Sequence, residues 1–118
     1  MSLRTERVAS LLKEEISTFV NREYRDSEFG LITVTDVQIT PDLRIAKVYL
    51  SIMGSHEKRE TTFRMIENHK GEIRSHIGMH IRLKFTPALQ FYIDETMDRV
   101  DRINQLIKQI HADDDKKQ

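Results

Sequence analysis

The amino-acid sequence predicts an α+β fold in which helices cover one face of a three-stranded sheet. Apolar residues recur at helical spacing near both ends of the chain, and three shorter segments alternate apolar with polar positions. The predicted element order is α-β-β-α-α-β-α. With 118 residues, the chain is expected to form one domain over residues 1–111, followed by a disordered polar tail over residues 112–118.

The first predicted element is an amphipathic helix over TERVASLLKEEISTFVNREY. Thr5 is expected to cap its N-terminus, and Glu6 in the first turn favours the helix dipole. The apolar stripe of this helix consists of Val8, Leu11, Leu12, Ile16, Phe19 and Val20.

Two strands are predicted next, over LITVTDVQIT and IAKVYLSIM, joined by the turn PDLR. The first strand changes phase, because Val34 and Val37 should both face the core, so a β-bulge is predicted near residues 35–36. The second strand alternates without a break, and its inward residues are Ala46, Val48, Leu50 and Ile52. A third strand follows Pro87, with Leu89, Phe91 and Ile93 on one phase.

The sequence contains eight aromatic side chains, five phenylalanines and three tyrosines. Tyr49 and Tyr92 fall on outward strand phases, where they could stack on bases. The phenylalanines Phe63, Phe85 and Phe91 are predicted to be core residues.

The segment NHKGEIRSHIGMHIRLKF, residues 68–85, predicts a second central helix that meets the first near Gly71. The preceding helix is expected from about Glu57 to Asn68. In the second helix, isoleucines four residues apart predict one buried face: Ile73, Ile77 and Ile81. A last helix is predicted from Thr96 onward, with a stripe of Met97, Val100, Ile103, Ile107 and Ile110.

The formal net charge is zero, but the charges are unevenly distributed. Residues 42–84 contain 9 Lys/Arg against 5 Asp/Glu, whereas residues 1–41 and 85–118 each contain 5 against 7. A basic centre between acidic ends is typical of a protein that binds an anionic partner through a local patch.

Catalytic and metal-binding motifs are poorly represented. There are no cysteines, and no glycine-rich phosphate loop follows a predicted strand. The sequence places His69, Glu72, His76 and His80 on one helix side, but the ends of this stripe lie about 16 Å apart, so at most two adjacent members could share one ion. No HExxH pattern or cysteine ligand completes a metal site. We therefore expect no metal, no cofactor, no small-molecule substrate and no enzymatic activity. The carboxylates at 94, 95 and 98 are expected to complement a helix dipole.

The other flank of the same helix is basic. Arg74, Gly78 and Arg82 follow one another at intervals of four, so a phosphate backbone could approach the glycine between two guanidiniums. Close packing against a neighbouring element is an equally weighted explanation for Gly78. Lys70 and Lys84 bracket the segment.

Several stretches resemble the ribosome-binding factor A family. They are RTERVASLLKEEISTFVNRE, ITVTDVQIT, PDLRIAKVYLS and GEIRSHIGMHIRLKFTPALQFYIDE. The residues that stand at the family's signature positions are Gly71, Ile73, Arg74, Ser75, Arg82, Pro87, Leu89, Phe91 and Asp94. The family's alanine two residues before the kink glycine is replaced here by His69.

This resemblance implies a type II KH-like RNA-binding domain with a kinked helix-turn-helix in place of a GxxG loop. It also implies binding, as a cytoplasmic monomer without catalysis or membrane association, to the 30S subunit and its 16S rRNA during late maturation, with a role in cold adaptation. The expected RNA-binding residues are Arg74, Gly78, Arg82, Lys84, Lys70, Gly71, Arg7 and Lys47. Two other classes remain open: a protein–protein adaptor using the sheet edge and the histidine stripe, and a metal-dependent hydrolase.

Overall fold

The computed structural model describes residues 3–25, 28–96, 103–108 and 110. Its elements are α1 (Leu3–Glu23), β1 (Ile32–Ile39), β2 (Ile45–Ile52), α2 (His56–Asn68), α3 (Lys70–His80) and β3 (Ala88–Ile93). Residues 103–108 are also helical. The predicted α+β fold is confirmed, whereas residues 97–102 of the predicted last helix and the predicted tail lie outside the described residues. None of the described helices is long and apolar enough to cross a membrane.

The sheet has the order β1-β2-β3, with β2 in the centre. β1 and β2 pair antiparallel, and β2 and β3 pair parallel, so that Val48 lies between Val37 and Phe91. The parallel pair requires a crossover, which α2 and α3 supply. The predicted bulge is confirmed, because Val34 lies opposite Leu50 while residue 36 lies opposite residue 49.

The core lies between the inner face of the sheet and the helices. Buried residues recur along α1 with helical spacing: Val8, Leu12, Ile16, Phe19 and Val20. Ile73 and Ile77 of α3 are fully buried, which confirms the predicted apolar face of that helix. The inward residues of β2 are buried as predicted, because a sheet with one covered face alternates buried and exposed positions.

The junction between α2 and α3 differs from the prediction. His69, with φ −103° and ψ 13°, is the C-cap of α2 and the N-cap of α3. Gly71 lies inside α3 with ordinary helical geometry. The His69 N–H donates to the carbonyls of Met65 and Ile66, and its Nδ1–H donates to Met65 O at 2.8 Å. The side chain at 69 therefore fastens the turn itself, so the glycine is not needed to end the first helix.

Two further expectations at helix ends are wrong. Thr5 is not an N-cap, because α1 begins at Leu3 and places Thr5 on its buried face one turn before Val8. Ile81 is not a helical core residue: α3 ends at His80, and Ile81 is a half-buried C-cap with extended backbone.

Tyr24, just after α1, packs its ring against Phe19 and His69. Burial, followed by the negative charges of Glu72 and Glu23, raises the pKa of Tyr24 to about 12. The phenol oxygen is buried and has no hydrogen-bond partner among the described residues.

We expect Tyr24→Phe to retain or increase stability at neutral pH, because it removes an unsatisfied buried hydroxyl. Since the folded pKa exceeds the unfolded value of about 10, the contribution of the neutral phenol to stability is complete below about pH 10 and is lost as the pH rises towards 12. Between about pH 10 and 12, the Tm of the wild type should fall more steeply with pH than the Tm of Tyr24→Phe. Equal slopes for the two proteins would contradict a raised pKa of Tyr24.

Candidate nucleic-acid interface

The segment that follows α3 holds two of the predicted basic residues. Because α3 ends at His80, Arg82 and Lys84 lie in the loop of residues 81–87 and not on a helix. The prediction that residues 74, 78 and 82 lie along one side of a helix is therefore wrong for Arg82. Both loop side chains are exposed.

Arg74 and Gly78 face this loop. The guanidinium of Arg74 donates to Thr86 O at 2.9 Å and to Pro87 O at 3.2 Å. A Cβ added at Gly78 would lie 3.0 Å from the Thr86 hydroxyl, which supports the packing explanation for this glycine. Arg74 thus positions the loop, and the guanidinium keeps other donors that face solvent.

An exposed aromatic ring lies beside the loop cations. Phe85, expected in the core, is 55 % exposed. The preceding Leu83 packs on the core and Pro87 is fully buried, so the loop is anchored on both sides and Phe85 points outward. The ring lies under the Arg44 guanidinium at 5.1 Å and the Lys84 ammonium at 5.6 Å.

Residues from three separate segments meet here. Arg4, Arg44, Lys84 and Phe85 line one open hollow, and Arg4 also lines the adjoining hollow with Arg82. We call these five residues the basic end. Cations spaced around an exposed aromatic ring provide both phosphate contacts and a surface on which a base can stack.

The turn between β1 and β2 holds Arg44 in place. Asp42 accepts a hydrogen bond from the Thr40 hydroxyl at 2.6 Å and another from the Arg44 N–H at 3.1 Å. These bonds, the hydroxyl first, hold the pKa of Asp42 below its usual value, so the carboxylate stays charged. Leu43 takes a left-handed φ of 60° within the same turn. The predicted turn therefore presents a cation on a fixed backbone.

The other predicted RNA-binding residues lie elsewhere. Lys70 and Gly71 begin α3, about 15 Å from its last residue. Lys70 pairs with Glu67 at 3.1 Å, while Gly71 is exposed and a Cβ there would meet nothing within 4 Å. Arg7 is exposed on α1, one turn after Arg4, and Lys47 is exposed on the outer face of the sheet. The eight predicted residues therefore do not form one patch.

The outer face of the sheet carries the two outward tyrosines, as predicted. The rings of Tyr49 and Tyr92 stack with centroids 5.5 Å apart and planes inclined by 27°. Tyr92 donates a hydrogen bond to Gln90 at 2.9 Å. Each ring thus covers one side of the other, which reduces the area open to a base.

The histidine stripe of α3 packs against α1. His76 packs on the Phe19 ring, with centroids 4.6 Å apart and planes inclined by 37°, and donates to Glu15 at 3.1 Å; only 10 % of its side chain is exposed. His80 stacks on His76 at 4.0 Å. An adaptor role that uses this stripe would require a surface that α1 already covers in part.

Sequence reasoning missed four residues of these clusters: Arg4, Arg44, Phe85 and Glu15. Arg4, Arg44 and Glu15 are distant in sequence from the other residues of their clusters, so spacing alone could not group them. One local signal was available for Phe85, since it follows Lys84 and lies two residues before a proline that fixes the loop.

Comparisons with a family model and with a known protein sequence point to the same family. The family model described as Ribosome-binding factor A matches residues 4–107. A "Ribosome-binding factor A" from Staphylococcus saprophyticus is 40 % identical over 114 residues, which span 97 % of this chain and 100 % of that protein.

Two structural matches share the fold. The crystal structure of ribosome-binding factor A from Thermus thermophilus has a TM-score of 0.66 at 18 % identity, covering 75 % of this chain and 94 % of that one. A Thermus thermophilus homology model fitted into the cryo-EM map of a 30S–ribosome binding factor A complex has a TM-score of 0.63 at 19 % identity, covering 73 % and 90 %. From the family match and the full-length relative, the chain belongs to the ribosome-binding factor A family.

Proposed function

We propose that this chain is a noncatalytic assembly factor that binds the free 30S ribosomal subunit through 16S rRNA and assists the late maturation of that RNA. Membership of the ribosome-binding factor A family carries this proposal. A related protein of the same fold has been fitted into the map of a 30S complex. We further propose that the chain acts as a cytoplasmic monomer and that its loss is most harmful in the cold.

The basic end supplies a chemical reason for binding RNA. Arg82 and Lys84 are exposed on a loop that Arg74 holds by two hydrogen bonds. Guanidinium and ammonium groups bind phosphate by charge-assisted hydrogen bonds, which supply affinity without reading the sequence. Phe85 adds a ring face for an unpaired base, a mode common in RNA recognition.

The start of α3 offers a second point of approach within the same domain. Gly71 leaves the helix backbone open, so a sugar–phosphate chain could lie closer there than at any residue with a side chain. Lys70 lies beside it, and we retain Lys70, Gly71, Arg7 and Lys47 as secondary contacts. We place the KH-like RNA-binding domain in residues 1–111.

Selective co-sedimentation tests the proposal. We expect the untagged chain to pellet with purified 30S subunits and not with 50S subunits or intact 70S ribosomes. Binding should decline as salt rises from about 0.05 to 0.2 M, because cations on the protein release counterions from RNA. Equal binding to all three particles, or binding insensitive to salt, would contradict the proposal. A complex that survives nuclease treatment of an extract would favour the protein–protein adaptor.

A further inference from the structure

Three possible metal ligands converge where α1 meets α3. Glu15 of α1 and His76 and His80 of α3 place one ligand atom each within 4.8 Å of one another. The sequence lacked a third ligand for the histidine pair, and the fold supplies one from 61 residues away. His76 is nearly buried, Glu15 is half-buried and His80 is exposed, so the cluster lies at the edge of the core with one side open.

The distances suit a small divalent cation. His76 Nε2 and Glu15 Oε2 are 3.1 Å apart. Two ligands of a tetrahedral zinc ion, at bond lengths near 2.0–2.1 Å, are separated by about 3.3 Å. Replacing the shared proton with a metal ion therefore needs little movement of these two atoms.

The hydrogen bond that His80 makes is typical of a metal ligand, and its exposed ring would have to turn out of its stack on His76 for both imidazoles to share one ion. The Nδ1–H of His80 donates to the carbonyl of His76 at 2.9 Å, so Nε2 is the nitrogen available to coordinate an ion. A metal-bound histidine usually donates its other ring N–H to a carbonyl or carboxylate in this way. The cluster borders the hollow lined by Arg4, Glu14 and Arg82, which gives an ion access from solvent.

We propose that Glu15, His76 and His80 form a site for one Zn²⁺ that clamps α1 to the C-terminal turn of α3. Two imidazoles and one carboxylate are a ligand set typical of zinc, with water at the fourth position. The ion would fix the end of α3 immediately before the loop that carries Arg82. The contacts that indicate this site do not depend on the proposed ribosome binding, and zinc binding is measured without ribosomes.

Zinc titration of the untagged, chelator-treated chain tests the site. Competition with a chromophoric chelator should give one Zn²⁺ per chain, and Glu15→Gln or His80→Gln should weaken binding by at least about 10-fold. At a zinc concentration of about 100 times the wild-type Kd, the Tm of the wild type should rise by about 10 °C, and that of Glu15→Gln by about half as much or less. Far-UV circular dichroism verifies that each variant is folded; because His76 is buried, its substitution is not the leading test.

His56 provides a matched control. It pairs with Glu60 at 3.0 Å on the exposed surface of α2, and it belongs to no group of three possible ligands among the described residues. We expect His56→Gln to leave zinc affinity unchanged. The proposal is overturned if the wild type shows no saturable binding of one ion, or if Glu15→Gln binds as tightly as the wild type. Equal losses in His56→Gln and His80→Gln would also overturn it.

Discussion

Arg82→Glu combined with Lys84→Glu is expected to weaken binding to the 30S subunit by at least about 30-fold, or about 2 kcal/mol. Each substitution replaces a phosphate-binding cation with an anion that repels phosphate. Both side chains are exposed and lie on a loop, so the thermal stability should change little. The affinity is measured with a fluorescently labelled chain and purified subunits.

A double variant at the opposite end of α1 controls for net charge. Arg22→Glu with Arg25→Glu makes the same change in net charge. Arg22 lies about 30 Å along the axis of α1 from the first residue of that helix. Both residues are exposed. We expect this variant to bind nearly as well as the wild type. Equal losses in the two double variants would mean that overall charge, and not the basic end, determines binding.

Gly30→Ala is expected to destabilise the chain by about 3 kcal/mol, the upper end of the usual cost of overpacking and a large part of the stability of a domain this size. A Cβ at Gly30 would collide with the carbonyl oxygen of Met53 and lie 2.9 Å from Ile52 Cγ2. The same residue donates its buried N–H to Thr62 Oγ1 at 2.9 Å, a bond that any shift of the backbone would strain. Chemical denaturation of the two proteins gives the difference.

Gly71→Ala is the matched control for this change. Nothing lies within 4 Å of the added methyl group, and the residue is helical, so alanine should stabilise the fold by about 0.5–1 kcal/mol. A Gly30→Ala protein as stable as the wild type would show that β2 and the segment before β1 pack less closely than described.

The first two strands could be predicted in detail because their pattern is local. Alternation along β2 and the phase change in β1 determined which side chains face inward and where the extra residue lies. The junction of α2 and α3 was misplaced because glycine is a general helix-ending signal, whereas the actual turn is fastened by His69 bonding back to Met65. That bond depends on a side-chain conformation and not on residue type alone.

The candidate interface was only partly predictable. Arg82 and Lys84 were found because they lie in the most basic stretch of the chain. Arg4 and Arg44 join them through folding of α1 and of the β1–β2 turn, which no spacing rule encodes. Phe85 was assigned to the core on its apolarity, but hydrogen bonds from Arg74 hold the loop that turns it outward. Contacts between distant segments limited the prediction in each case.

The salt dependence of 30S binding tests most directly whether the basic end contacts rRNA phosphates. Affinities of the wild type and the Arg82→Glu, Lys84→Glu variant are measured between about 0.05 and 0.2 M salt and plotted as log K against log salt concentration. If both cations contact phosphates, the slope of the variant should be shallower by about 1.4–1.8. Parallel lines for the two proteins would contradict the account, because they would show that no phosphate contact is lost with these residues.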